Sequence, residues 1–287
     1  MQNLLRTLVY DGQVSLTLVD TTKLVLEGAR LHRLSDTSAY LFGKALSAMT
    51  FMSACLKGEK GEISLSLKTQ GEGGEIAVSG NRGLAMRGYI ENTDLRGENN
   101  EETERVAFAD GGSLTIIRND GYARPFVGAC AFPTEGGLDE AFEEYFRISE
   151  QLPTRIATTV KISADGKVLF AGAAVLQPLP FADEKIIEKT NATDLDALLG
   201  EIETQGVERA AEGAFGRDSA VWETRTAEYK CNCSREYLTR VLISLGEEQM
   251  RSIIREDGAV RIHCHYCNTD YEFDGEDADR IFTGTKR

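Results

Sequence analysis

No stretch of this 287-residue sequence approaches the apolar length of a membrane-spanning helix. The N-terminus, Met1-Gln-Asn-Leu-Leu-Arg6, also lacks the basic-then-apolar layout of a secretory leader. The expectation is a soluble, cytoplasmic chain with no membrane partner. Basic runs are missing as well: 46 acidic residues against 32 basic ones give a formal charge of −14. Phosphate backbones are held by clustered Lys and Arg, so nucleic acid is not expected as a main partner. There is no phosphate-cradling glycine-rich loop with its Lys, no nucleophile elbow and no His-Glu-x-x-His helix. ATP-driven chemistry is unsupported, no catalytic residue is assigned, and the chain is not expected to be an enzyme. Proline is scarce, five against 28 glycines, which predicts many tight turns.

Cysteine carries the chemistry. Six cysteines in a reducing compartment do not read as a structural disulfide framework, so metal or switch chemistry is favoured. Four of them form two close pairs, Cys231-Asn-Cys233 and Cys264-His-Tyr-Cys267, with thirty residues between the pairs. Thiolates are the soft ligands that Zn²⁺ prefers and also the nucleophiles that oxidants attack. Four of them at tetrahedral positions make a closed structural Zn²⁺ site, worth about 10–16 kcal/mol of apparent folding free energy in small domains. The first pair departs from the usual finger spacing of about two to four intervening residues. So short a gap can close an unusually small disulfide ring, and strained disulfides are the labile, regulatory kind. The residues alone leave a structural zinc module and a redox switch both open.

His263 and His265 flank Cys264. Either could replace a cysteine as ligand; either, with Arg261, could favour the thiolate form; or both could simply be exposed on a turn. Cys55, on an apolar helical face, and Cys130, in an apolar strand, read as small core residues, and His32 as a structural histidine.

Periodicity organises the rest. Leu4 to Tyr10 and Val14 to Val19 predict a hairpin around Asp11-Gly12, followed by helices over Thr21 to Arg33 and Asp36 to Leu56, the second capped by Ser35 or Asp36. Strands are predicted at 61–68, 75–79, 84–90, 113–118, 126–132, 155–163 and 168–176, with an amphipathic helix over Leu138 to Gln151. The acidic run Glu98 to Glu104 reads as a solvated loop. The fold class is α+β: an N-terminal mixed sheet-and-helix domain over 1–180, a charged helical linker over 181–228, and a small C-terminal zinc-binding domain over 229–287. The linker helices carry so little apolar surface that they should be marginal unless docked. In the last segment, helices after Ser234 and before Gly258 precede a hairpin around Cys264, and about 60 residues are a poor basis for an independent core.

The sequence resembles the 33 kDa chaperonin family of bacterial redox-regulated heat-shock chaperones along nearly its whole length. Cys231-Asn-Cys233-Ser-Arg-Glu236, Leu245-Gly-Glu-Glu248, Cys264-His-Tyr-Cys267 and Tyr271-Glu-Phe273 are similar to that family's zinc-switch signature. Arg87-Gly-Tyr89, Tyr145-Phe146, Ser149-Glu-Gln-Leu-Pro153 and Leu176-Gln-Pro-Leu-Pro180 match its N-terminal core. The resemblance implies one Zn²⁺ on Cys231, Cys233, Cys264 and Cys267 in a reduced, inactive form. It further implies oxidation to disulfides Cys231–Cys233 and Cys264–Cys267, metal loss, unfolding of the C-terminal domain and linker, homodimerisation, and ATP-independent holding of unfolding client proteins. Two readings from other classes stand beside it, a nucleic-acid-binding zinc module and a thiol-disulfide oxidoreductase. Charge argues against the first. The second usually sets its Cys-x-x-Cys in a βαβ context, whereas here that motif falls in a hairpin turn.

Overall fold

In the computed structural model, residues 2–69, 71–108, 112–121, 124–217 and 221–283 are described. Met1, residues 218–220 of the predicted linker and residues 284–287 of the predicted C-terminal domain lie outside them. Contacts divide the chain into two compact units, Met1–Lys230 and Cys231–Arg287.

The first unit begins with β1 (Leu4–Val9) and β2 (Val14–Asp20), paired antiparallel through a turn in which Tyr10, Asp11 and Gly12 all take positive φ. Two helices follow, α1 (Thr22–His32) and α2 (Asp36–Ala54). The Ser35 hydroxyl accepts from Ser38 N at 3.2 Å, capping α2 as the sequence predicts. Almost every residue of α2 is buried, because it runs between two sheets and is covered on all sides.

The strands β3 (Glu62–Lys68), β4 (Glu75–Asn81) and β5 (Ala85–Ile90) form a meander, joined after α3 (Glu101–Ala107) by β6 (Ser113–Asn119) and β7 (Phe126–Ala131). The segment α3 corrects the expectation of a solvated acidic loop. Asn100 caps it by accepting from Thr103 N at 3.0 Å, and Glu104 is fully buried. The helix expected over 138–151 is also not continuous: α4 (Leu138–Tyr145) passes into one π-helical turn, Phe146–Glu150, which ends at Gln151 with φ 53°. Next come β8 (Arg155–Ile162) and β9 (Val168–Pro178).

The predicted linker packs on this unit. Its helices α5 (Glu184–Asn191), α6 (Leu195–Gln205) and α7 (Val207–Phe215) precede two short strands, β10 (Trp222–Arg225) and β11 (Glu228–Tyr229). Leu198, Leu199 and Ile202 of α6, with Val207 and Ala210 of α7, bury themselves against Leu5, Leu16, Leu18 and Leu176 of the sheet. Each large apolar side chain removed from water contributes about 1.5–3 kcal/mol, so docking supplies what helix propensity alone lacks. The strand β10 pairs antiparallel with β1, and β11 pairs parallel with β5. The end of the linker, with the adjoining Tyr229, thereby completes both sheets, ordered β10-β1-β2-β9-β8 and β11-β5-β4-β3-β6-β7.

In the second unit Ser234 caps α8 (Arg235–Leu245), accepting from Tyr237 N at 3.1 Å, and Gly246 ends the helix at φ 101°. The helix α9 (Glu247–Asp257) stops at the left-handed Gly258, and the hairpin β12 (Val260–Cys264) with β13 (Thr269–Phe273) follows. A last helix, α10 (Gly275–Thr283), was not foreseen. The core is small: Leu238, Leu242, Met250, Val260, Phe273 and Ala278. Ile253, Ile254, Ile262, Tyr271, Ile281 and Phe282 pack around it, partly buried.

Candidate metal centre

The four cysteines meet in the second unit. Cys231 and Cys233 lie on the extended segment before α8, Cys264 ends β12, and Cys267 sits in the hairpin turn, where its N–H donates to Cys264 O at 3.3 Å. All four sulfurs lie within 4.8 Å of one another, and they could hold a metal ion. Cys231 Sγ is 3.7 Å from Cys264 Sγ, and Cys233 Sγ is 3.1 Å from Cys267 Sγ. A tetrahedron with metal–sulfur bonds of about 2.3 Å has sulfur–sulfur edges of about 3.8 Å; the Cys231–Cys264 pair matches that edge, the Cys233–Cys267 pair is closer, and a four-sulfur donor set is of the kind that suits a soft metal such as zinc.

Neighbouring hydroxyls address the cluster. Tyr271 Oη is 3.3 Å from Cys233 Sγ, and Thr269 Oγ1 is 3.3 Å from Cys267 Sγ. Thr269 and Tyr271 are two apart on β13 and so share a face. Tyr271 belongs to the stretch that resembles the zinc-switch signature, whereas Thr269 shows itself in the sequence only through its two-residue spacing from Tyr271 beside the Cys-x-x-Cys.

Electrostatics makes the group a trap for a cation. Burial pushes the Cys233 thiol up to about 11 and raises Cys264 and Cys267 as well. Burial also acts on Cys231, but hydrogen bonds from the Cys233 backbone and the neighbouring thiols outweigh it and hold Cys231 below its ordinary value. Four negative charges this close repel by several kcal/mol per pair, about 4 kcal/mol at 4 Å in a surface-like dielectric. A dication held by the four sulfurs would offset much of that repulsion and favour their thiolate forms.

The histidines stand apart from the cluster. His263 Nδ1 is 2.7 Å from Asp270 Oδ1, a cross-strand pair matched by Arg261 with Glu272 at 2.9 Å. Side chains alternate along a strand, so His263 points away from Cys264, and the His265 ring packs edge-on to His263 at 5.0 Å. Among the described residues the group that could hold a metal ion is the four cysteines without either histidine.

The other two cysteines and His32 belong to the core. Cys55 caps the C-terminus of α2 and packs against the main core, with its thiol raised by burial. Cys130 is 9% exposed, and burial raises its thiol to about 11. His32 Nε2 lies 3.4 Å from Tyr229 Oη.

The Hsp33 protein family model matches residues 2–274. A 33 kDa chaperonin of Bacillus cereus (strain B4264) is 34% identical over 288 aligned residues, covering 97% of each chain. One from Bacillus anthracis (strain CDC 684 / NRRL 3495) gives the same figures. Among solved structures, the 33 kDa chaperonin (heat shock protein 33 homolog) of Thermotoga maritima superposes with a TM-score of 0.81 at 25% identity, covering 99% of this chain and 98% of that one. A family match over nearly the whole length, joined to a four-cysteine cluster on a small C-terminal unit, places this chain in the Hsp33 family of chaperones.

Proposed function

We propose that the chain is a redox-regulated, ATP-independent holdase of the cytoplasm, without catalytic turnover. Its reduced form holds one Zn²⁺ on Cys231, Cys233, Cys264 and Cys267 and is inactive. Its oxidised form carries disulfides Cys231–Cys233 and Cys264–Cys267, dimerises, and keeps unfolding client proteins from aggregating. Zinc, when bound, supplies four bonds that tie the segment before α8 to the β12–β13 hairpin.

Oxidation by a peroxide accounts for every electron. For each disulfide, one thiol sulfur attacks the peroxide O–O bond and becomes a sulfenic acid; the second sulfur displaces its oxygen. Two thiols and one hydrogen peroxide give one disulfide and two waters. Sulfurs so joined no longer serve as thiolate ligands, and a staple worth about 10–16 kcal/mol in comparable small sites is lost. The six-residue apolar core of the C-terminal unit is too small to replace it.

The observation that carries the reading is what the linker covers. Helices α6 and α7 lie over Leu5, Leu16, Leu18 and Leu176, while β10 and β11 close the edges of β1 and β5. Release of residues 181–228 together with Tyr229 of β11 would uncover one apolar sheet face and two unpaired strand edges, surfaces that bind unfolded chains. Cys231 follows β11 after a single residue, so the cluster and the cover are consecutive in the chain. The test is to heat an aggregation-prone client with reduced, zinc-loaded protein and with peroxide-treated protein. Protection by the oxidised form alone is expected; equal protection by both would sink the switch.

A further inference from the structure

The corner between α5 and α6 of the linker roofs a cavity of about 390 Å³ within the Met1–Lys230 unit. Its floor is a buried ion network. Lys44 Nζ lies 2.7 Å from Glu104 Oε1 and 3.4 Å from Asp139 Oδ2, and the Tyr40 hydroxyl donates to Glu104. The walls add Glu101 from α3, Glu140 and Glu143 from α4, and Arg155 from β8. The roof adds Asp194 and Asp196. Seven carboxylates thus face two cations.

Both cations are already engaged. Lys44 is shared between Glu104 and Asp139, while Arg155 stands 3.5 Å from Glu143 and donates to the Asn191 carbonyl. Asp194 accepts from Ala197 N at 2.9 Å as the cap of α6. Neither Asp194 nor Asp196 has a cationic partner among the described residues. The linker's attractive contacts at this corner do not engage the roof carboxylates: Arg155 bonds the Asn191 carbonyl, Tyr10 Oη is 2.8 Å from Thr193 Oγ1 and Lys189 lies over the Tyr10 ring, while farther off Lys161 pairs with Glu203 and Gln13 donates to Asp183 at 3.2 Å.

We infer that like charge at this cavity opposes docking of the α5–α6 corner, so that apolar burial holds the linker down against a standing electrostatic load. The inference rests on the reading above that linker release uncovers the chaperone surface. Apolar contacts are nearly indifferent to modest salt, whereas partly exposed charges are screened over about 10 Å at 0.1 M ionic strength. Low ionic strength should therefore loosen the corner, and removing the roof charges should tighten it. The acidic excess makes the cover easy to lift once the C-terminal unit loses its staple.

The experiment is hydrogen exchange of residues 195–205 in the reduced, full-length protein, at about 20 mM and about 300 mM sodium chloride. The variants are Asp194→Asn/Asp196→Asn, in which Asn keeps the helix cap, and Asp196→Asn alone. A control, Glu184→Gln/Glu208→Gln, removes two linker charges that do not line the cavity. At low salt the double variant should exchange about threefold more slowly than the parent, matching the scale of single exposed charge interactions. The single variant should shift the same way, the gap should narrow at high salt, and the control should match the parent. Exchange as fast in both Asp variants as in the parent, or equal slowing in the control, would overturn the inference. No client is present, so the outcome is separable from the holdase reading, which fails only if the oxidised parent protein does not protect clients.

Discussion

Tyr271 Oη lies 3.3 Å from Cys233 Sγ, placed there by the register of β13 against β12. The proximity to Cys233 holds the tyrosine proton more tightly than usual, so the hydroxyl is positioned to donate to a thiolate. Such outer partners orient ligands and temper their charge. Tyr271→Phe should leave the fold intact and weaken zinc binding by about tenfold, measured by competition with a chelator.

Ile202 is 1% exposed in the apolar seam between α6 and the sheet. Ile202→Asp removes about 1.5–3 kcal/mol of burial and sets an unpaired carboxylate in its place. That exceeds what a marginal linker can absorb. The chain has a single tryptophan, Trp222, on β10, partly buried against the same cluster. Its emission should shift to the red in the reduced variant, and light scattering of a heated client should show protection without peroxide.

Lys44 and Glu104 side chains are 8% and 1% exposed, and Glu104 also accepts from Leu138 N at the start of α4. Lys44→Met leaves that carboxylate without its buried cation and should cost about 3–5 kcal/mol in denaturant unfolding. Lys44→Met/Glu104→Gln should recover part of the loss. An additive double variant would contradict the pairing.

Burial pushes the Asp139 carboxyl up to about 6, against the opposing pull of Lys44 and the Thr158 hydrogen bonds. Its folded value lies above its unfolded one, so folding takes up a proton between the two. The stability contribution is present below about pH 4 and is lost as pH rises through about 6. The stability of the parent relative to Asp139→Asn should therefore fall between about pH 4 and pH 6.5 and then level off. Denaturant midpoints across that range check it, and a difference that grows with pH would contradict it.

Local signals carried the first half of the fold well. The Tyr10–Gly12 turn, the Ser35 cap and the apolar run of α2 are all written in neighbouring residues, and so is the four-cysteine cluster. What escaped depends on distant partners. Glu104 looks like one more charge in an acidic run, because its cation lies 60 residues away in Lys44 and its backbone donor 34 residues away in Leu138. The strands β10 and β11 are short and polar, and exist because β1 and β5 offer them edges. The helix α10 begins with acidic residues and is recognised only when Ile281 and Phe282 pack on the C-terminal core. His263 sits beside Cys264 in sequence, but strand alternation turns it toward Asp270.

The central claim is that metal and fold of the C-terminal unit are lost together on oxidation. Zinc per chain, free thiols and far-ultraviolet helix signal should be followed in one peroxide titration of the full-length protein. The account predicts one zinc per chain when reduced, and its release in step with loss of four thiols and a fall in helix signal. A chain that keeps both zinc and helix while its cysteines are oxidised would contradict it.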